Sequence, residues 1–168
     1  NITSASHGTH VSGTVGARGN NTIGVTGVNW NVKVMAIMGS SGVESEVVLA
    51  YTYAMDNRAL YNQTNGASGA FVVSTNSSFG VDQGQPSQFP IWCAMYDSLG
   101  YYGIISAAAT ANQNWNIDNV GDIPTSCPSP FMIAVTNSTR FDLKTTSAGY
   151  GIVTIDLAAP GSSIISTY

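Results

Sequence analysis

Charged side chains are scarce in this sequence. Only 8% of its 168 residues are Asp, Glu, Lys or Arg, and the formal net charge is −4. The five Lys and Arg residues form no cluster, which argues against both a nucleic-acid-binding face and a face for anionic membranes. Solubility therefore depends on the abundant Gly, Ser, Thr and Asn residues, a composition typical of an extracellular surface.

Long apolar runs and cysteines are also scarce. No stretch reaches the roughly 18 apolar residues that a membrane-spanning helix needs, and the first residues lack the pattern of a signal peptide. Cys93 and Cys127 are too few for a disulfide framework, and either one disulfide or two buried thiols is consistent with the sequence. The length predicts a single domain over residues 1–168 with a sizeable core.

Apolar runs of strand length alternate with segments of helical periodicity. The helical pattern covers residues 6–16, 43–60 and 87–101. The predicted buried strands cover residues 31–38, 70–74, 103–109, 131–135 and 152–157. This alternation predicts an α/β fold with a largely parallel sheet, in which functional residues gather at the carboxyl ends of the strands.

The first predicted helix contains a titratable imidazole within a run of small residues. An imidazole is the side chain best suited to take and return a proton within one reaction cycle near neutral pH, and His7 supplies one. Each glycine of this segment lowers helix propensity by about 1 kcal/mol relative to Ala. If this segment is a helix, we therefore expect another part of the protein to pack closely against its backbone. A sheet is the expected neighbour. A zinc site at His7 and His10 would lack further ligands.

Five motifs follow the order found in the subtilisin-like serine proteases, or subtilases. They are HGTHVSGT from His7, NTIGVTGV from Asn21, NSSFG from Asn76, AAATAN from Ala107 and DLAAPG from Asp156. The first resembles the histidine signature of that family with one conservative change. The resemblance covers nearly the whole chain and implies a subtilisin-like three-layer α/β fold, with a mainly parallel sheet flanked by helices.

The resemblance also implies a role for each matched position. His7 would be the general base of a Ser-His-Asp triad, and Asn112 would donate its side-chain amide to the oxyanion. Thr110 and Ala111 stand where the family commonly has Ala-Gly, which predicts a narrowed specificity pocket. The positions expected to bind an extended peptide substrate are Ser41, Gly42, Ser78, Phe79, Gly80, Ala109, Thr110 and Ala111.

A calcium loop is a further implication of the resemblance. The Asn21 side chain and the carbonyls of Gly19, Ile23 and Val25 would be ligands, because calcium takes six to eight oxygens. The loop is one residue longer than the family form, and the family's upstream ligands have no counterpart here. The alternative is a tight turn without metal. The chemistry itself requires no cofactor.

Two members of the triad match nothing in this sequence. The family's aspartate precedes the histidine motif and its serine follows the APG motif. The aspartates present all follow the histidine and match no triad segment; they are Asp56, Asp82, Asp97, Asp118, Asp122, Asp142 and Asp156. We therefore expect the central part of a secreted serine endopeptidase domain, with a fold incomplete at both ends and no activity by itself. The alternatives are an inactive subtilase-fold module that binds extended peptide, and a secreted adhesive or carbohydrate-binding domain.

Overall fold

The computed structural model describes residues 5–39 and 43–168, with only the backbone of Ala5 described. These residues form two compact units. Unit 1 runs to Ile37 and includes Ser163–Tyr168, and unit 2 is Met38–Ser162. Within the described residues, no helix is both long enough and apolar enough to cross a membrane.

Unit 1 contains the helix predicted around His7, which is α1 (Ala5–Gly16). A Cβ atom at Gly13 would collide with Ser166 and Thr167, so this glycine permits a close approach by the end of the chain. The Thr167 hydroxyl donates to the carbonyl of Thr9 at 2.7 Å, and the Ser166 hydroxyl donates to that of His10 at 2.6 Å. The predicted close neighbour is therefore present, but it is an irregular segment and not a strand of a sheet.

The predicted buried strand at residues 31–38 is wrong. This segment has no regular secondary structure and pairs with no described residue. Most of its side chains are exposed, and Met38 is 86% exposed. An apolar run becomes a strand only where a neighbouring strand accepts and donates main-chain hydrogen bonds, and the apolar pattern does not provide that neighbour.

Two long helices of unit 2 agree with the predicted periodicity. Helix α2 (Glu44–Gln63) buries Val47, Tyr51 and Ala54, which share one face. Helix α3 (Pro90–Tyr101) follows a 3₁₀ turn at Pro86–Gln88. Its buried residues are Trp92, Met95, Tyr96 and Leu99. The helical spacing of residues 87–101 predicts Ile91 on the buried face of α3, but this side chain is 60% exposed, because Trp92 occupies the core in its place.

A parallel sheet of four strands forms the centre of the described part of unit 2. Its order is β1-β3-β5-β6, and every neighbouring pair is parallel. The strands are β1 (Ser74–Ser77), β3 (Ile105–Ala109), β5 (Met132–Ser138) and β6 (Leu157–Pro160). An antiparallel pair, β2 (Val81–Asp82) with β4 (Asp122–Ile123), lies outside this sheet, and a short helix, α4 (Ile117–Val120), precedes β4. The predicted α/β class with a largely parallel sheet is confirmed.

Two strands begin four or more residues later than their apolar runs predict. Strand β6 begins at Leu157 because the Asp118 carboxylate accepts hydrogen bonds from the amides of Ile152, Val153 and Thr154. Those amides are therefore turned away from a ladder, and the Ile152 side chain is 96% exposed.

The run at residues 70–73, ahead of β1, is bound to α2 in a similar way. The Ala70 amide donates to the carbonyl of Asn57 at 3.0 Å, and the Arg58 guanidinium donates to the carbonyl of Val72. Strand β1 consequently begins at Ser74. In both runs, hydrogen bonds from distant residues decide where the strand starts.

The core of unit 2 lies between α2, α3 and the sheet. Trp92, Tyr96, Leu99 and Ile104 are almost completely buried there. The polar atoms in this core are paired, since the Trp92 indole donates to the Tyr96 hydroxyl at 3.0 Å and that hydroxyl lies 2.8 Å from the hydroxyl of Tyr51. This core supports the sheet edge at which β1 and β3 end.

A disulfide joins Cys93 of α3 to Cys127, which resolves the alternative that the sequence left open. The two cysteines are 34 residues apart. Because a cross-link of this span restricts the unfolded chain, replacing both cysteines with Ala is expected to lower the free energy of unfolding by about 4 kcal/mol. Urea unfolding monitored by tryptophan fluorescence measures the loss. The reduced wild-type protein is the control and should lose the same amount, whereas equal midpoints for oxidised protein and variant would contradict the prediction.

Candidate active site

A cavity of ≈ 90 Å³ opens in unit 2 beside the carboxyl end of β3. We call it the β3 cavity. Its lining residues are Ser78, Phe79, Gly80, Asp82, Ala109, Thr110, Ala111, Asn112 and Asp122. The structure therefore brings together the predicted oxyanion donor and every predicted substrate-binding residue that it describes. The remaining two predicted substrate-binding residues, Ser41 and Gly42, lie outside the described residues.

The pairing of β1 with β3 places these residues side by side. The two strands are parallel neighbours, and Ser77 lies opposite Ala108 at their carboxyl ends. The Ser78–Gly80 segment and the Ala109–Asn112 segment consequently leave the sheet at the same edge. This is the edge at which open parallel sheets bind their ligands.

The backbone leading into Asn112 is held by three hydrogen bonds. The Thr110 amide donates to the carbonyl of Val135 at 3.1 Å, and the Ala111 amide donates to a carboxylate oxygen of Asp122 at 2.9 Å. The Ala111 carbonyl accepts from the Gly149 amide at 3.0 Å. The Asn112 side chain, by contrast, is exposed and forms no hydrogen bond with any described residue. The backbone that carries Asn112 is thus fixed, and its side-chain amide is available to a ligand.

The Ser78–Gly80 segment offers main-chain groups to a ligand. Strand β1 lies at the edge of the four-stranded sheet, and no described residue forms a backbone hydrogen bond with Ser78, Phe79 or Gly80. The Phe79 ring packs against Trp92 with 6.0 Å between ring centroids, which anchors the segment to the core. An extended peptide is the natural partner for such a row of unpaired groups.

Two carboxylates that the sequence did not assign to the site also line the β3 cavity. Asp82 on β2 and Asp122 on β4 lie directly opposite each other in the ladder. Asp122 is only 2% exposed, and burial raises its pKa to about 6, with the charge of Asp82 adding to the rise. Hydrogen bonds from Thr125 and Ala111 act in the opposite direction. No motif signals these two residues, because pairing across about 40 residues of chain brings them together.

His7 lies in unit 1, in the first turn of α1. Its side chain is exposed, and no described residue forms a hydrogen bond with the imidazole. His10, one turn further along, has its Nε2 atom 3.1 Å from the carbonyl oxygen of Ile164. The two histidines of the motif therefore differ in hydrogen bonding. The His10 ring contacts the last segment of the chain, whereas both ring nitrogens of His7 are available for proton transfer.

The predicted calcium loop is a tight turn with few oxygen atoms that could act as metal ligands. The backbone at Asn20, Thr22 and Gly24 has positive φ angles, and the side-chain oxygen of Asn21 accepts a hydrogen bond from the Ile23 amide at 3.1 Å. Residues 1–37 and 163–168 contain no Asp or Glu. Four neutral oxygens leave at least two of the six to eight positions of a calcium ion unfilled, so the loop residues alone do not fit the metal. Calcium at this loop stays a prediction, and no step proposed below uses it.

Comparison with known proteins decides the family. A model described as "Subtilase family" matches residues 2–168. The chain belongs to this family. The family membership inferred from the five motifs is thereby confirmed.

Curated members of the family match almost the whole chain. An "Extracellular protease" from Xanthomonas campestris pv. campestris is 32% identical over 164 residues, which are 96% of this chain and 26% of that protein. "Subtilisin amylosacchariticus" from Bacillus subtilis subsp. amylosacchariticus is 33% identical over 172 residues, covering 97% of this chain and 39% of that protein. The chain thus spans between about a quarter and two fifths of the length of these relatives.

Solved structures agree with the fold. A protease from Pseudoalteromonas arctica superposes with a TM-score of 0.71 at 28% identity, covering 92% of this chain and 43% of the other. A cold-adapted subtilisin-like serine proteinase superposes with a TM-score of 0.66 at 26% identity, covering 96% of this chain and 50% of the other. The predicted subtilisin-like α/β fold is confirmed by these neighbours.

Proposed function

We propose that the protein is a serine endopeptidase of the subtilisin type, in which this chain supplies the general base His7 and the oxyanion donor Asn112. The observation that carries the proposal is the β3 cavity, where Asn112 meets both segments expected to hold substrate. Family membership supports the reaction class. The proposal requires the longer protein to supply the triad serine and aspartate, which no motif of this sequence matches.

The substrate is a polypeptide in extended conformation. The unpaired main-chain groups of the Ser78–Gly80 segment would pair with the peptide as an added strand. One side chain of the peptide would then enter the β3 cavity, which places the next peptide bond beside Asn112. This mode of binding recognises mainly the peptide backbone, and the cavity adds selectivity at one position.

Each residue acts at a defined step of acyl transfer. His7 would take the proton of the serine hydroxyl as its oxygen attacks the carbonyl carbon, and would return that proton to the leaving amine as the carbon–nitrogen bond breaks. Asn112 would donate a hydrogen bond to the carbonyl oxygen as negative charge grows on it. Water then repeats the sequence on the acyl-enzyme, with His7 again acting as base.

Secretion is part of the proposal. Relatives from Xanthomonas campestris and Dichelobacter nodosus are described as extracellular proteases. The disulfide between Cys93 and Cys127 suits an oxidising compartment, and the low content of charged residues agrees with an extracellular surface.

Hydrolysis of casein by the full-length protein tests the function. We expect release of peptides that a serine-directed fluorophosphonate abolishes, and no release by the 168-residue chain alone, since a base without its nucleophile retains only binding effects. Hydrolysis that is insensitive to the fluorophosphonate would contradict a serine mechanism. Peptide binding without hydrolysis would instead identify an inactive peptide-binding module, which the unpaired Ser78–Gly80 segment also suits. An adhesive or carbohydrate-binding function finds no comparable support, because the family model that matches residues 2–168 is that of the subtilases.

A further inference from the structure

Two carboxylates at the β3 cavity have no basic partner in the part of the chain that the structure describes. Asp82 and Asp122 are directly opposed across the β2–β4 ladder, an arrangement in which like charges destabilise an antiparallel pair. The only charge found to act on Asp122 among the described residues is that of Asp82. Such an arrangement leaves a local excess of negative charge at the cavity wall, which a bound cation would relieve.

One oxygen of Asp122 is fixed and the other is available. Its Oδ2 atom accepts hydrogen bonds from the Ala111 amide at 2.9 Å and from the Thr125 hydroxyl at 2.6 Å. No described residue donates to Oδ1. Among the described residues, the one buried side-chain N or O atom without a partner is Asn137 Oδ1, so Asp122 Oδ1 retains contact with solvent. Asp122 is also one of the residues that line the β3 cavity.

We propose that the β3 cavity binds a basic side chain, Lys or Arg, of an extended peptide, and that Asp122 pairs with its cation. The inference rests on the proposed function, in which the residue occupying the cavity directly precedes the bond that is cleaved. The cavity volume of ≈ 90 Å³ is several times the roughly 10–15 Å³ that one water requires, which leaves room for the end of one unbranched side chain. Gly80, Ala109 and Ala111 present small apolar groups to its methylene stem.

A neutral side chain of the same shape binds less favourably for a physical reason. It would displace water from the two carboxylates and provide no partner, and burying an unpaired charge is strongly unfavourable. A cation instead forms a charge-assisted hydrogen bond with Asp122. The selectivity therefore comes from attraction of the basic residue together with exclusion of neutral ones.

The preference depends on pH in a defined direction. Because burial raises the pKa of Asp122 to about 6, its carboxyl is neutral at pH 5 and charged at pH 8. From β2 the titratable group that faces it is Asp82, whereas Ala111 and Thr125, which contact it from the other elements, do not titrate. The preference for a basic residue should therefore rise as the pH passes upward through about 6.

The test uses the full-length protein and matched peptide substrates. The peptides differ only at the residue before the cleaved bond, with Arg compared to citrulline and Lys compared to norleucine, which have similar shapes without the charge. At pH 8 we expect kcat/KM to favour each basic residue by about 10- to 100-fold, the range of one charge-assisted hydrogen bond. At pH 5, about one unit below the pKa of Asp122, the ratio should fall to between about 2 and 10. Any effect of pH on the catalytic step is common to both members of a pair and cancels in the ratio.

Variants assign the effect to Asp122. Asp122→Asn is expected to bring the Arg-to-citrulline ratio at pH 8 close to one and to abolish its dependence on pH. Asp82→Asn removes an exposed charge and should lower the ratio by no more than about 5-fold. Asp56→Asn makes the same charge change on the exposed face of α2 and should leave the ratio unaltered. If Asp122→Asn does not fold, the pH dependence of the wild-type ratio still decides the question.

Each outcome separates the two proposals. Hydrolysis of none of the peptides would overturn the proposed function and this inference with it. Hydrolysis with a ratio near or below one at pH 8 would overturn the basic specificity and leave the peptidase function standing. A ratio that favours Arg equally at pH 5 and pH 8 would overturn the assignment to Asp122.

Discussion

Replacing His7 with Ala in the full-length protein is expected to lower kcat for peptide hydrolysis by roughly 10⁶-fold, the loss that removal of the histidine causes in subtilisin. The loss is large because the serine hydroxyl is a weak nucleophile unless a base takes its proton as it attacks. KM should change little, since the imidazole contributes to the transition state and not to binding of the peptide backbone. Steady-state kinetics on a chromogenic peptide measures both constants.

His10→Gln is the matched control for this experiment. His10 lies on the same helix, but its ring contacts the carbonyl of Ile164, so its replacement should lower the thermal midpoint and leave kcat within about 10-fold of the wild-type value. The fold of the His7→Ala variant should be intact, because the His7 side chain is exposed and contacts no described residue through a hydrogen bond. Equal losses for the two variants would show that α1 has a structural role only and would remove His7 from the mechanism.

The second large effect is expected at Asn112. Asn112→Ala should lower kcat by about 10²- to 10³-fold, a value transferred from the loss of one oxyanion donor in subtilisin. KM should stay near the wild-type value, because the negative charge that the amide stabilises exists only in the transition state and the intermediate. The thermal midpoint should also be unchanged, since the Asn112 side chain is exposed and unpaired among the described residues.

Gln113→Ala is the control for Asn112→Ala. Gln113 is the next residue, is equally exposed and does not line the β3 cavity, so its replacement should leave kcat unaltered. Asn112→Asp keeps the size of the side chain, removes the donor and adds a negative charge, so a loss larger than that of Asn112→Ala is expected. A rise in KM with unchanged kcat in Asn112→Ala would instead assign Asn112 to ground-state binding.

Helices were predicted more accurately than strands. The apolar spacing at Val47, Tyr51 and Ala54 predicted α2, because a helix satisfies its own main-chain hydrogen bonds and needs only one buried face. Strand prediction at residues 31–38 failed and the starts of β1 and β6 were displaced, since a strand depends on partners elsewhere in the chain. The Asp118 carboxylate that delays β6 lies 34 to 36 residues before the amides that it binds.

The candidate site likewise contains some features that the sequence predicted and others that it missed. The motifs placed the Ser78–Gly80 and Ala109–Asn112 segments at strand ends, and their shared edge follows once β1 and β3 are parallel neighbours. Asp122 was passed over, because nothing in the residues around it distinguishes it from other acids of the chain. Its position opposite Asp82 and its bond to the Ala111 amide arise from the β2–β4 pairing, which no local pattern specifies.

By itself, the sequence determined the family, the α/β class and the long helices, and it singled out His7 and Asn112 as candidates, since these depend on residue types at short spacings. It also determined the scarcity of charge. Only the tertiary structure decided that Cys93 joins Cys127, that residues 31–38 form no strand and that two carboxylates without a basic partner among the described residues line the β3 cavity. The physical reason is that pairing and burial depend on contacts between segments far apart in the chain. The few charges of this protein matter because of where the fold places them.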